Sequence, residues 1–427
     1  MYGGLKSDII EVTMKKNVIL SWCLYDFAGA SYYSVISAVI FPVYYANRIV
    51  GNTARLGDLW WGRAISLSML IVAVTSPFAG GIAGRAGVRK KFLIAYSLAA
   101  AFFVSMFSFL KAGDVIPGFL LIVAANVAKE GGIVFYNSYL PDIAPWDLRG
   151  RVSAWGFGLG YVGSAAALLI ALPLVRKGHF PLVWLSVCAF FLVFSLPAFF
   201  LLPGDEPARG RERENVARYA VQGTKSALAA LKWLWLENPG ARSFLLSYLF
   251  YQDGVNTVII FSSIFASVSL GFGPAELVAL YLAVQLTAFL GAFAMAKPSD
   301  LWGPKKVIVL TLFLWVFVAA AATFVRQKDQ FWVIAGIAGL GLGSIQAASR
   351  TLFSRFVPPG RQSEFFGVYS MIGKTSAIAG PFIFGLVSRL TGSERPAVAA
   401  VGGLFLLGLA FIAPLREPAG GPAPPAL

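Results

Sequence analysis

The segment Gly84-Arg-Ala-Gly87-Val-Arg89-Lys90 follows one long apolar run, and Asp300-Leu-Trp-Gly303-Pro-Lys305-Lys306 follows another. Both segments carry a glycine and a basic pair at the same spacing, so they mark equivalent points in two halves of the chain. Glycine permits a tight turn, and the basic residues can pair with acids or with helix C-termini. We therefore expect these loop residues to form gating hinges between rigid helices: Gly84, Gly87, Arg89, Lys90, Asp300, Gly303, Lys305 and Lys306.

Twelve apolar runs surround these loops. Of the 427 residues, 58% are hydrophobic and only 13% are charged, which is typical of a membrane protein. A bilayer core about 30 Å thick needs roughly 20 apolar residues per helix, and the runs lack the alternation of an outer-membrane barrel. The predicted spans, numbered 1 to 12, are 18–45, 60–83, 92–110, 116–138, 152–174, 182–202, 243–269, 277–296, 306–325, 331–353, 365–388 and 396–414.

The sequence predicts an all-α membrane protein with two pseudo-symmetric six-helix bundles. The predicted boundaries are 1–202 for the first bundle, 203–242 for a cytoplasmic linker, 243–416 for the second bundle and 417–427 for a disordered tail. Other pairs of segments repeat between the halves, namely Tyr25-Asp26 with Tyr251-Gln-Asp253, and Gly150-Arg-Val-Ser-Ala-Trp-Gly156 with Arg361-Gln-Ser-Glu-Phe-Phe-Gly367.

Charge placement predicts the orientation in the membrane. There are 35 lysines and arginines against 20 acids, and most of the basic residues fall in loops on one predicted side. The positive-inside rule therefore predicts cytoplasmic termini, and we expect the chain to lie in the inner (cytoplasmic) membrane. Because the basic residues follow membrane topology, we expect no nucleic-acid partner. The first 17 residues have no short apolar core of signal-peptide length, so we expect span 1 to be retained.

The paired loops resemble the signature of the major facilitator superfamily. In the usual pattern an Asp precedes the first arginine, and this chain has that Asp as Asp300 in the second copy and Gly84 in the first. A closer resemblance rests on eight motifs in order, which are Trp22-Cys-Leu-Tyr25-Asp26-Phe27-Ala28, Phe41-Pro42, Tyr136-Asn137-Ser-Tyr-Leu140-Pro141-Asp142, Gly156-Phe-Gly-Leu-Gly160-Tyr161, Tyr251-Gln-Asp253-Gly254, Gln346-Ala-Ala-Ser349-Arg350, Glu364-Phe-Phe-Gly367 and Gly380-Pro381.

Together these motifs resemble the branch of major facilitators that includes the fungal vacuolar amino-acid effluxers, the autophagy-related protein 22-like proteins. The resemblance implies a twelve-helix fold, alternating access and export of small solutes, with amino acids as the leading class. We expect a monomer whose partners are a small-molecule solute and the lipid bilayer, driven by a solute gradient or coupled to protons.

Ionisable side chains inside spans cost several kcal/mol, so each is a functional candidate until a partner explains it. Six qualify: Asp26, Lys129, Glu130, Asp253, Arg350 and Lys374. Arg350 lies near the predicted cytoplasmic end of span 10, where we expect it to reach the interface. The predicted substrate-binding or ion-coupling residues are Asp26, Tyr33, Asn126, Lys129, Glu130, Gln252, Asp253, Asn256 and Lys374.

The acids and bases have different expected roles. Burial favours the neutral form of a carboxylic acid, so Asp26 and Asp253 can carry protons or contact a cation; a structural cap bonded to backbone is the alternative. Glu130 can take a proton or a substrate ammonium, and Lys129 and Lys374 can hold a carboxylate. Adjacent residues on a helix point about 100° apart, so we expect Lys129 and Glu130 to meet different helices. A static interhelical ion pair is the alternative.

Other function classes fit less well. No segment offers metal-ligand spacing or a phosphate-binding loop, and the one histidine cannot complete a Ser-His-Asp set, so we expect no enzyme, metal or cofactor. Two readings compete with amino-acid efflux: a carrier of another small polar or amphiphilic solute, and a membrane scaffold or sensor that keeps the fold without transport.

Overall fold

The computed structural model describes residues 2–51, 56–205, 216–377 and 379–418, and its regular structure there is helical. Residues 206–215 of the predicted linker and 419–427 of the predicted tail lie outside this part. The α-helices are α1 (Tyr2–Ser31), α2 (Phe41–Tyr44), α3 (Leu56–Ala86), α4 (Arg89–Met106), α5 (Val115–Ser138), α6 (Leu140–Ile143), α7 (Arg149–Arg176), α8 (Phe180–Leu201), α9 (Val216–Lys232), α10 (Pro239–Leu270), α11 (Pro274–Leu301), α12 (Pro304–Phe324), α13 (Lys328–Ser354), α14 (Gln362–Thr375), α15 (Ala379–Thr391) and α16 (Glu394–Ile412).

Eleven helical segments among the described residues are long and apolar enough to cross a membrane, and they correspond to predicted spans 1–10 and 12. Span 11 is predicted as one helix over 365–388, and the structure differs. The span consists of α14 and α15, with a turn at Ser376 and Ala377 between them. Hydropathy cannot detect such a break, because a short interruption leaves the apolar run intact. Counted as one crossing, the interrupted helix completes the twelve-helix fold.

The first span is irregular beyond residue 31. Two π-helical segments, Tyr32–Val39 and Tyr45–Val50, lie on either side of α2. Pro42 stands in the first turn of α2 and lacks the N–H that a continuous helix would use, so the hydrogen-bond ladder changes register around it. Tyr33, one of the predicted site residues, lies in the first of these segments.

The chain divides into two compact units. The first comprises residues 1–145, 159–226 and 362–366, and the second comprises 146–158, 227–361 and 367–427. Within the first, α1 packs on α8, α3 on α5, and α4 on α5 and α8. Within the second, α10 packs on α16, α11 on α13, and α12 on α13 and α16. The same pairs of spans therefore recur in each unit, as the repeated motifs indicate.

Candidate functional site

Lys129 of α5 lies in the interior of the first unit, with 2% of its surface exposed. Its Nζ lies 4.7 Å from the ring centroid of Tyr33 and 5.9 Å from that of Tyr25. A third ring, that of Phe191, is 5.7 Å away. The negative faces of aromatic rings stabilise a buried cation. Gly29 allows this approach, because a Cβ there would stand 2.9 Å from Nζ.

Glu130 joins the same site from the next position of α5. It is 3% exposed, and its side chain is hydrogen-bonded to the hydroxyl of Tyr33, which also lies within electrostatic range of Asp26. Lys129 and Glu130 both contact Tyr33, one with the ring and one with the hydroxyl, and Lys129 also faces the ring of Phe191 on α8. We call these four predicted residues, Asp26, Tyr33, Lys129 and Glu130, the charged cluster.

Both polar atoms of the Asn126 amide form hydrogen bonds within the protein. Its Oδ1 accepts from the Tyr32 hydroxyl at 3.4 Å, and its Nδ2 donates to Ser68 Oγ at 2.6 Å. The residue is 1% exposed. The structure thus places Asn126 as a link between α5 and α3, one turn from the charged cluster.

The motif around residue 22 holds the first span in position. Trp22 donates from Nε1 to the carbonyl of Tyr136 at 2.9 Å and stacks on that residue's ring at 4.6 Å. Tyr25 shares a hydrogen bond of 2.8 Å with Ser97 of α4. These contacts hold α1 against α4 and α5. They therefore also fix the position of Asp26 along the axis of α1.

In the second unit, Asp253 of α10 contacts the interrupted helix. It is 4% exposed, and its Oδ2 accepts from the backbone N–H of Gly380 at 2.8 Å. Its Oδ1 has no hydrogen-bond partner among the described residues. The structural alternative stated for this acid, a cap bonded to backbone, is therefore present. Gln252 and Asn256 bond to each other along α10 at 3.1 Å.

Lys374 stands on the other side of the interruption. It is half-buried in the last turn of α14, where the carbonyl end of a helix favours a positive charge. Ser376, the first residue of the turn, is fully buried. Two predicted site residues thus flank the break. Lys374 lies before it, and Asp253 binds the N–H of Gly380 after it.

Arg89 of the first gating loop forms an ion pair inside the first unit. Its guanidinium lies 2.7 Å from Asp142 and 3.8 Å from the ring centroid of Tyr139. Gln362, from the start of α14, donates to the other oxygen of Asp142 at 2.7 Å. The acid therefore joins the loop after α3 to the start of α14.

The lysines Lys90 and Lys305 bind helix ends, as the sequence indicates. The N–H of Lys90 donates to Asp205 at 2.6 Å, and its Nζ donates to a carbonyl at the end of α8 at 2.8 Å. The N–H of Lys305 donates to Glu417 at 2.8 Å, and its Nζ donates to a carbonyl beyond α16 at 2.7 Å. Each lysine thus anchors the last helix of its sequence half. The remaining base of the second loop, Lys306, is exposed.

Two details of this arrangement differ from the sequence interpretation. Motif spacing pairs Arg89 with Lys305, yet Lys90 makes the matching contacts, because α4 begins two residues after Gly87 and α12 begins one residue after Gly303. Glu417, at the start of the predicted disordered tail, also forms an ion pair with Arg355.

The acid of the second loop, Asp300, meets the start of α7. It lies 2.6 Å from the Nε of Arg151. In the first loop, Gly84 stands at the corresponding position, and a Cβ there would lie 3.4 Å from Cγ and 3.7 Å from Oε1 of Glu364. The first loop has no acid of its own at this position, and Glu364 at the start of α14 places a carboxylate beside it.

Arg350 is buried rather than placed at the interface. It is 1% exposed, and it donates to the hydroxyl and the carbonyl of Ser153 at 3.0 and 2.7 Å. The guanidinium carbon lies 4.0 Å from the centroid of Phe157. The prediction that Arg350 reaches the interface is therefore wrong. Its position among small residues, Ala347 and Ala348, was a signal for close packing.

No group of three His, Cys, Asp or Glu side chains in the described ranges could hold a metal ion. The chemistry that the described site offers is electrostatic: buried charges of both signs, hydroxyls and one carboxylate oxygen without a partner.

Comparison with known sequences gives a consistent picture. A family profile described as vacuole effluxer Atg22 like matches residues 63–420. The MFS-type transporter YxiO of Bacillus subtilis is 28% identical over 404 residues, covering 93% of this chain and 94% of that protein. Autophagy-related protein 22 of Coccidioides immitis is 24% identical over 428 residues, covering 80% and 70%.

Solved structures share the fold. The human organic anion transporter MFSD10 has a TM-score of 0.74 at 15% identity, covering 94% of this chain and 99% of that one. The proton:xylose symporter XylE has a TM-score of 0.71 at 13% identity, covering 95% and 96%. At such low identities the likeness shows the fold alone, which is that of the major facilitators.

Proposed function

Because the chain belongs to the Atg22-like vacuole effluxer family of major facilitator transporters, we propose that it exports amino acids by alternating access, with transport coupled to protons. It is a multi-pass membrane transporter of a small-molecule solute, and its family is one of carriers rather than enzymes. The amino-acid substrate, the direction and the coupling ion are the proposed part.

The observation that carries the proposal is the charged cluster. A lysine and a glutamate that are 2% and 3% exposed adjoin the tyrosine of a π-helical segment in the first span. Ionisable groups inside spans are expensive, and they mark solute or proton pathways in membrane proteins. Residues of both signs in one cluster suit a ligand that itself carries both signs.

An amino acid is such a ligand. Its carboxylate would bind the ammonium of Lys129, and its ammonium would bind Glu130 or Asp26. The hydroxyl of Tyr33 offers a further polar group for orientation. The proposal agrees with the name of the family, whose profile describes vacuole effluxers.

Rocking of the two sequence halves would be controlled by the gating loops. The Arg151–Asp300 pair, at 2.6 Å, connects the second loop to the start of α7. The Arg89–Asp142 pair, at 2.7 Å, connects the first loop to α6. Such bonds can form in one state and open in the other, which is how a carrier with a fixed site alternates its access.

Charge placement supports an orientation with both termini in the cytoplasm. We propose a monomer in the inner membrane of the cell, with both termini in the cytoplasm and a proton gradient as the energy source. The acids Asp26 and Asp253 are the candidate proton carriers.

Counterflow in proteoliposomes tests the proposal. Vesicles preloaded with unlabelled amino acids should accumulate the labelled compound saturably, and Lys129→Gln should reduce the initial rate by about tenfold or more. Lys177→Gln removes an exposed lysine that follows α7, outside the gating loops, and serves as the matched control, with counterflow like that of the wild type. An imposed pH gradient should accelerate net transport if protons are coupled.

If no amino acid exchanges in folded, correctly inserted protein, the amino-acid assignment fails. A panel of other small polar and amphiphilic solutes then decides between a different substrate and a scaffold without transport.

A further inference from the structure

The carboxylate of Asp253 binds backbone at the break in span 11. Asp253 Oδ2 accepts from the N–H of Gly380 at 2.8 Å, and the N–H of Ala379 is also hydrogen-bonded to this carboxylate. The next residue of α15 is a proline, which has no N–H to offer. One side chain of α10 therefore receives the first two backbone donors of α15, where the helix dipole favours a negative charge.

The other oxygen of this carboxylate is in an unusual position. Asp253 is 4% exposed, and its Oδ1 has no hydrogen-bond partner among the described residues. The hydroxyl of Thr257 is close, but it donates to the Asp253 carbonyl at 2.7 Å. An ionised oxygen buried without a donor is costly, whereas a protonated one is neutral.

Gly380 is required for this contact. A Cβ at that position would lie 2.0 Å from Thr257 Oγ1, 2.9 Å from Asp253 Oδ1 and 3.0 Å from the Asp253 carbonyl oxygen. Three oxygens therefore approach the backbone of α15 where a side chain would stand. Only glycine lets the carboxylate reach the first turn of the helix.

The charged groups around Asp253 are mostly bases and tyrosines. On the elements packed against α10, and on α10 itself, the described groups along the helices are Arg350, Lys374, Tyr369, Tyr281, Lys297, Arg395, Tyr248 and Tyr251. Arg242, Lys328 and Glu237 lie at helix ends. The described acids of α11, α13 and α14 lie in first or last turns: Glu276, Asp300, Asp329 and Glu364. The side chains of Arg389 and Glu394 lie outside the described part.

We infer that Asp253 Oδ1 is a proton-binding site whose occupancy controls how firmly the first turn of α15 is held to α10. In the ionised state the carboxylate makes charge-assisted bonds to Ala379 and Gly380, and these are stronger than bonds to a neutral acid. Proton uptake weakens them and frees the break beside Lys374. This inference rests on the proposed carrier function, because it names the element through which a proton acts on transport.

Hydrogen exchange of the Ala379 and Gly380 amides, measured by mass spectrometry on the full-length protein in nanodiscs, tests the inference. After correction for the intrinsic effect of pH, exchange should be at least about threefold faster in acidic than in alkaline buffer, since the bonds weaken on protonation. Asp253→Asn should abolish that difference. Equal protection at both pH values, or an unchanged response in Asp253→Asn, would overturn the inference.

Two glycine variants complete the test. Gly380→Ala should make the same amides exchange fast in both buffers, because its Cβ displaces α15 from Thr257 and Asp253. Gly403→Ala, whose Cβ meets nothing within 4 Å, should keep the response of the wild type. Wild-type counterflow at equal pH separates the two proposals. If solute exchanges but the protection of the Ala379 and Gly380 amides does not depend on pH, only this inference fails. If no solute exchanges, the carrier proposal fails.

Discussion

Arg151 donates to both oxygens of Asp300. Its Nε lies 2.6 Å from Oδ2, and its backbone N–H lies 3.3 Å from Oδ1. Asp300 is 3% exposed at its side chain, while Arg151 is 38% exposed. A Cβ at Gly150 would come within 2.5 Å of Oδ1, so the glycine allows the acid to cap the start of α7.

Asp300→Asn should lower stability, because it replaces charge-assisted bonds at a helix start by neutral ones. We expect a loss of about 1–3 kcal/mol, measured as a lower melting temperature in detergent micelles. Glu276→Gln is the control, since it removes an ion pair with Lys328 whose side chains are 43% and 38% exposed. That change should lower the melting temperature much less than Asp300→Asn, because exposed ion pairs contribute little to stability. Equal losses in the two variants would contradict the assignment.

Gly84→Asp restores the acid that the family usually carries, and we expect it to destabilise this protein. The new carboxylate would stand beside Glu364, whose Oε1 lies 3.7 Å from the Cβ position. Removing the second charge, in Gly84→Asp with Glu364→Gln, should recover stability beyond the sum of the single changes, by about 0.5–3 kcal/mol. Strictly additive melting temperatures would show that the two carboxylates do not interact.

Gly163→Ala should disrupt the contact between α7 and α1. Its Cβ would lie 2.2 Å from the carbonyl oxygen of Phe27, and backbone cannot move aside as a side-chain end can. We expect a loss of about 1–3 kcal/mol, read from thermal unfolding. Gly62→Ala meets nothing within 4 Å, and as a substitution inside a helix it should raise stability by up to about 1 kcal/mol.

Gly29→Ala should impair transport more than folding. Its Cβ would stand 2.9 Å from the Nζ of Lys129, which is the far end of a flexible side chain and can move. The ammonium would leave its place among the rings, and we expect at least about a tenfold rise in the half-saturating concentration. Initial rates of counterflow over a range of amino-acid concentrations measure this, with Gly403→Ala as the control. An unchanged value would remove Lys129 from the binding site.

The sequence indicated which ionisable residues are buried better than it indicated their partners. It placed Lys129, Glu130 and Asp253 inside spans, and all three are at most 4% exposed. It did not show that Tyr33 joins two of them, because Tyr33 lies in a π-helical segment, which hydropathy does not reveal. It also placed Arg350 at an interface, since distance along the chain gives no view of Ser153 on another helix.

The sequence by itself determined that this protein is a membrane protein of twelve crossings with a repeated loop in each half. Apolar length and composition decide that outcome, because a bilayer requires long helices whatever their neighbours are. Only the tertiary structure decided that span 11 is interrupted, that Asp253 binds the start of α15, and that Lys90 rather than Arg89 matches Lys305. These features depend on which backbone groups lack partners after packing, and that is a property of neighbouring helices rather than of any one segment.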